Sequence, residues 1–146
     1  MGPLTIRFTG ERVRSGSRSA KWRHRLLFDD KEVAVSNNSF RILVNLATQQ
    51  IKDDGSPEKP GVLPLHRVLY RGMHSRTAMN AVIRLRQQLA EQGIDPQIVS
   101  SIYGVGVAFM IPYDAISFDL EAMTDMLDDD QRERLLFVLK QKEKRS

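Results

Sequence analysis

Arg76, Asn80, Arg84 and Gln87 are two guanidinium groups and two amides, spaced so that a helix would carry them on one side. A guanidinium donates in a fixed fork to phosphate oxygens or to guanine O6 and N7, and a primary amide matches the N6/N7 edge of adenine. On the other side of the same stretch, SRTAMNAVIRLRQQLAEQG, Ala78, Val82, Leu85 and Leu89 recur at the i, i+4, i+7, i+11 spacing of a buried stripe. One face belongs to a core, and the other is offered to something rich in acceptors. Thr77 adds a hydroxyl to that offered face. Met79 and Ile83 border it, where packing and contact with a thymine methyl are both open readings. Arg86 falls nearer the buried flank.

The elements around this helix must hold it. Downstream, after a turn at Asp95-Pro96, IVSSIY and VAFMI read as strands joined through Gly104-Val105-Gly106, with Tyr103 to Val105 at the tip. Such a hairpin could touch a neighbouring backbone or minor groove. The two glycines also begin a dinucleotide-binding fingerprint, but Phe109 stands where its third glycine belongs and a strand follows instead of a helix. Upstream, Leu4 to Phe8 alternates as a strand, GERVRSGSRSA reads as a loop, and Lys21 to Phe28 and Glu32 to Val35 read as two strands about an Asp29-Asp30-Lys31 turn. Ser36 can cap a helix carrying Phe40, Leu43, Val44, Leu46 and Ala47 to about Gln50. Residues 52–61 read as a surface loop, Leu65 to Tyr70 as a short second helix, and Ser75 as the start of the long third one. Beyond Pro112, Ser117 can cap a helix with Phe118, Leu120, Met123 and Leu127, and Asp128 to Asp130 another with Leu135, Leu136 and Leu139.

Composition narrows the function classes. The 146 residues are 41% hydrophobic, enough for one domain with a core, and contain no cysteine, which excludes disulfides and thiolate metal sites. No apolar run reaches the length of a membrane span, and a cytoplasmic protein is expected. Net charge is +4, unevenly placed: Arg7, Arg12, Arg14, Arg18, Lys21, Arg23 and Arg25 face the single acid Glu11 in the opening residues, and acids collect at Asp125 and Asp128 to Asp130. Arg12, Arg14 and Arg18 sit in the Gly/Ser-rich loop, where settling along phosphates and simple solvation are both open readings. Trp22 reads as sheet packing in preference to base stacking. His24, His66 and His74 lie on separate elements as solvated or capping residues, without ligand spacing, and no metal or cofactor is expected. Ser100-Ser101 and the aspartate run have no partner arrangement for catalysis, so an enzyme is not expected.

The third helix and hairpin resemble the winged helix-turn-helix effector domain of the OmpR/PhoB family of bacterial transcription regulators. The likeness rests on Arg76-Thr77, on Arg84-Leu85-Arg86 with Leu89 three residues on, on Ile102, Gly104-Val105-Gly106 and Phe109, and on Gly61-Val62-Leu63. It covers roughly residues 22 to 111. Met79-Asn80-Ala81, Tyr103 and Val107-Ala108 depart from the family pattern, and the Arg71 to His74 loop is short against it. The 35 residues before Ser36 cannot hold a receiver, so phosphorelay control within this chain is not expected.

The resemblance implies an α+β fold: a small N-terminal antiparallel sheet, a three-helix core and a C-terminal β-hairpin wing over residues 1–111; residues 112–146 lie outside the family pattern and read, from their own caps and apolar spacing, as a helical extension. It implies sequence-specific binding of double-stranded DNA, with the helix 75–92 in the major groove and the hairpin 98–111 as wing. Arg76, Thr77, Asn80, Arg84, Gln87 and Tyr103 would make contacts. Candidate partners besides DNA are a second copy through the C-terminal helices, and RNA polymerase or another regulator. The alternative is a winged-helix module that binds protein and reads no DNA.

Overall fold

Apolar side chains on alternate positions build the first sheet. In the computed structural model, which describes residues 4–14, 22–54, 62–63, 68, 74–102, 106–112 and 115–145, strands β1 (Ile6–Arg14), β2 (Trp22–Phe28) and β3 (Lys31–Val35) form an antiparallel meander. Ile6, Phe8, Leu26, Phe28, Val33 and Val35 are all buried on its inner face. Asp29 and Asp30 both adopt positive φ (48° and 67°), which suits a two-residue hairpin between right-twisted strands. The Asp29 carboxylate accepts from the Thr5 amide at 2.9 Å and the Thr5 hydroxyl at 3.0 Å, which fastens the turn to the start of β1.

Two expectations are corrected in this sheet. Residues 10–14 of the expected loop are strand, and its remainder, 15–20, lies outside the described residues: the ladder shifts register between Phe8 and Arg12, then resumes with Arg12 opposite His24 and Arg14 opposite Trp22. Gly10, at φ 75°, allows the shift and a close approach, since a Cβ there would meet the Ala122 backbone at 2.5 Å. At the other end, Ser117 caps no helix. Ile116–Phe118 is a strand, β7, which pairs parallel with β1 and gives the sheet order β3-β2-β1-β7. Ile116 is buried, and Phe118 stacks on Phe8 with ring centroids 5.0 Å apart.

Helix α1 (Asn37–Asp54) begins where the Ser36 carbonyl accepts from the Phe40 amide at 2.9 Å, and it runs past Gln50 into the segment expected to be loop. Phe40, Ile42, Leu43, Val44, Leu46 and Ala47 fill the core. The short helix expected at Leu65 to Tyr70 lies outside the described residues except for Val68, which is buried. Helix α2 (Ser75–Glu91) buries Ala78, Val82, Leu85 and Leu89 as the spacing requires. It starts at Ser75 as expected, and His74 caps it: Nδ1 of the imidazole accepts from the Arg76 amide at 3.2 Å. Gly93, at φ 81°, closes the other end. A second sheet, in the order β4-β6-β5, joins β4 (Val62–Leu63), β5 (Val99–Ile102) and β6 (Gly106–Phe109), with β5 and β6 antiparallel.

After β7 the chain forms a short helix α3 (Leu120–Met123), a 3-10 turn at Thr124–Met126 and helix α4 (Asp129–Arg145). Asp128 caps α4 reciprocally. Its carboxylate accepts from the Gln131 amide at 2.8 Å, and the Gln131 side chain accepts from the Asp128 amide at 3.3 Å. Met123, Leu127 and Leu135 share the core with α1, α2 and the first sheet. The side-chain oxygen of buried Asn45 on α1 accepts from Gln131 at 3.0 Å and from Arg134 at 2.9 Å, so α4 is pinned to α1 by polar contacts as well. The whole is a mixed α+β fold. Among the described residues no helix is long and apolar enough to cross a membrane.

Candidate nucleic-acid interface

Burying one stripe of α2 leaves its opposite side in solvent. Arg76, Thr77, Asn80, Arg84 and Gln87 are all exposed there, and no acid interrupts them before Glu91. Other arginines of the fold are neutralised: Arg7 pairs with Asp119 at 3.1 Å, Arg25 with Glu11 and Glu32, and Arg41 with Asp128 at 3.5 Å. Arg76 and Arg84 have no ion-pair partner among the described residues. An unpaired guanidinium on a rigid element keeps its donors available for an external acceptor. Ile83 is also exposed, and Met79 and Arg86 are half-buried on the flank.

The far end of α2 is clasped to the first sheet by two glutamines. The Gln92 amide accepts from Ala34 N and donates to Ala34 O, both at 2.8 Å, and so completes the open edge of β3 as another strand's peptide would. One turn earlier, Gln88 accepts from Ser36 N at 3.0 Å and donates to the Ser36 hydroxyl at 3.2 Å. These bonds fix the distance between α2 and the start of α1. A groove of about 560 Å³ opens between them. Trp22, Arg23, Asn37, Asn38, Asn80 and Arg84 line it, together with Ala81, Gln88, Ser36, Ser39 and Thr77, and among the described residues no carboxylate does.

Trp22 was expected to pack on the sheet, and the structure corrects this: the indole is 58% exposed in that groove. It shares strand parity with buried His24, Leu26 and Phe28, but stands at the first position of β2, where the groove between α1 and α2 leaves it open. The Arg14 guanidinium lies 5.5 Å from its ring centroid, a cation–π arrangement. His24, expected to be solvated or capping, is buried instead. It stacks on Phe40 at 4.1 Å, and its Nε2 is 3.1 Å from Asn37 Oδ1. Burial lowers its pKa from the ordinary value; the Asn37 hydrogen bond opposes that shift and the positive charge of Arg12 adds to it.

The sequence-derived site residues thus divide by element. Arg76, Thr77, Asn80, Arg84 and Gln87 come together on α2. Arg12 and Arg14 sit on β1, Arg14 at the groove's tryptophan and Arg12 directly opposite His24. Arg18 and Tyr103 lie outside the described residues. Trp22, Arg23, Asn37 and Asn38 were not among the expected site residues. The available signal was the parity of Trp22 with His24 and Leu26 at the first position of their strand. Among the described residues no group of side chains could hold a metal ion. Comparison with protein-family models, with curated proteins and with solved structures finds no match for this chain.

Proposed function

We propose that the chain binds double-stranded DNA in a sequence-specific manner, as a bacterial transcription regulator of the winged helix-turn-helix, OmpR/PhoB type. The observation that supports this reading is the carboxylate-free polar face of α2, whose Arg76, Thr77, Asn80, Arg84 and Gln87 stand exposed opposite a fully buried stripe. A helix so divided presents guanidinium donors and donor–acceptor amides that match the guanine and adenine edges in the major groove. The β5–β6 hairpin, backed by β4, would serve as the wing. On this reading Asn80 reads adenine, Arg76 and Arg84 read guanine or hold phosphate, and Arg12, Arg14 and Arg18 add phosphate contacts. Self-association through the tail would use Leu136 and Phe137, which α4 leaves 44% and 48% exposed.

Salt dependence of duplex affinity tests the division of labour. Neutralising Arg12, Arg14 and Arg18 together should flatten the plot of log K against log salt by up to about 0.9 per lost phosphate contact and leave the preferred sequence unchanged. Asn80→Ala should cost about 1 to 3 kcal/mol on the preferred duplex and much less on random duplex. Equal losses on both duplexes would remove Asn80 from base readout.

A further inference from the structure

The groove beside α2 is lined by guanidinium groups, amides and hydroxyls around an exposed indole, and this combination is not what a paired duplex needs. In a B-form helix the π faces of the bases are covered by their neighbours, so Trp22 has nothing there to stack on. We propose that the groove takes an unpaired nucleotide, its base stacked on Trp22 and its phosphate held by Arg23 and Arg84.

Three observations converge on it. The volume, about 560 Å³, falls within the range of small-ligand sites. Among the described residues the lining has cationic and hydrogen-bonding groups without a carboxylate, which favours an anionic occupant. The indole exposes 58% of its surface beside that lining, and Arg14 lies 5.5 Å from the ring centroid. A flat, held aromatic beside cations is the stacking platform that unpaired bases use. Asn37 and Asn38 supply amides for the base edge, and the bond from Asn37 to His24 orients one of them. This inference does not depend on duplex binding, although the two would compete, because Asn80 and Arg84 face both.

The chain has one tryptophan, so its emission reports on this groove alone. Emission is titrated at fixed ionic strength with AMP, CMP, GMP and UMP, with an eight-residue oligothymidylate, with a blunt duplex and with inorganic phosphate. Saturable quenching by mononucleotides or by the single strand is expected, and none by phosphate. Tighter binding of the free nucleotides identifies a small effector as the occupant, and tighter binding of the single strand identifies a looped-out or unpaired base. By calorimetry, Trp22→Ala should weaken the tighter probe by about 5- to 150-fold, and Trp22→Phe should restore most of the loss. Arg84→Gln should weaken it as well. The proposal is overturned if no nucleotide or single strand gives a saturable change, if phosphate alone reproduces it, or if both Trp22 variants bind as the parent does. Single-strand binding without duplex binding would overturn the duplex reading and leave this one standing.

Discussion

Replacing Gln92 isolates the contact that holds α2 against the first sheet. In Gln92→Ala the Ala34 N–H and C=O each lose a partner at 2.8 Å on the otherwise open edge of β3. A net hydrogen bond contributes about 0.5 to 1.5 kcal/mol, and Gln92 is only half-buried, so water partly replaces what is lost. The expected cost is about 1 to 2 kcal/mol, a fall in melting temperature of roughly 2 to 8 °C for a chain of this size. Gln92→Glu sharpens the test. The new carboxylate can still accept from Ala34 N, but it sets an oxygen against Ala34 O where a donor stood. At pH 7 it should therefore be no more stable than Gln92→Ala. The introduced carboxyl is favoured in its protonated form, which raises its folded pKa, so stability relative to the parent should recover as the pH falls towards the carboxyl range. Thermal and urea unfolding followed by circular dichroism measure all of this. A Gln92→Ala variant within about 0.5 kcal/mol of the parent, or a Gln92→Glu variant equal to it at pH 7, would refute the clasp.

Leu85→Ala, at a fully buried site, should cost about 2 to 5 kcal/mol in unfolding measurements made without DNA. Gly10→Ala combines positive φ with a Cβ 2.5 Å from the Ala122 backbone and should lose about 2 kcal/mol or more, read in the same assay. His24 has a folded pKa below its ordinary 6.5, so the unfolded chain binds its proton first. Its contribution to stability is fully present above 6.5 and is lost as the pH falls from there through the folded value; in His24→Phe that part of the pH slope should vanish.

Periodicity was informative where one face of an element is buried from end to end. The α2 stripe of Ala78, Val82, Leu85 and Leu89, the inner faces of β2 and β3, and the core of α1 were legible for that reason. What local pattern could not carry was pairing set by distant chain. Residues 10–14 lack apolar alternation, and the partners Trp22 to His24 hold Arg12 to Arg14 as strand. Ser117 looks like a cap only until β1 offers Ile116 and Phe118 an edge to pair with. The groove needed three elements at once. Thr77, Asn80 and Arg84 were readable on a helical wheel, whereas Trp22, Asn37 and Asn38 joined them only through the Gln88 and Gln92 bonds to Ser36 and Ala34. Those glutamines, half-buried at the end of α2, carry no periodic signal that marks them as contacts.

The most direct test of duplex reading is a selection of bound sequences from random double-stranded DNA, run with the parent and with the combined alanine variant of Arg76, Asn80 and Arg84. All three side chains are exposed, so the variant should fold with an unchanged melting temperature. The parent should enrich a defined motif, and the variant should enrich none and bind more weakly to the parent's motif. A folded variant that enriches the same motif with the same affinity would contradict the assignment of α2 to the major groove, and the protein-interaction reading would take its place.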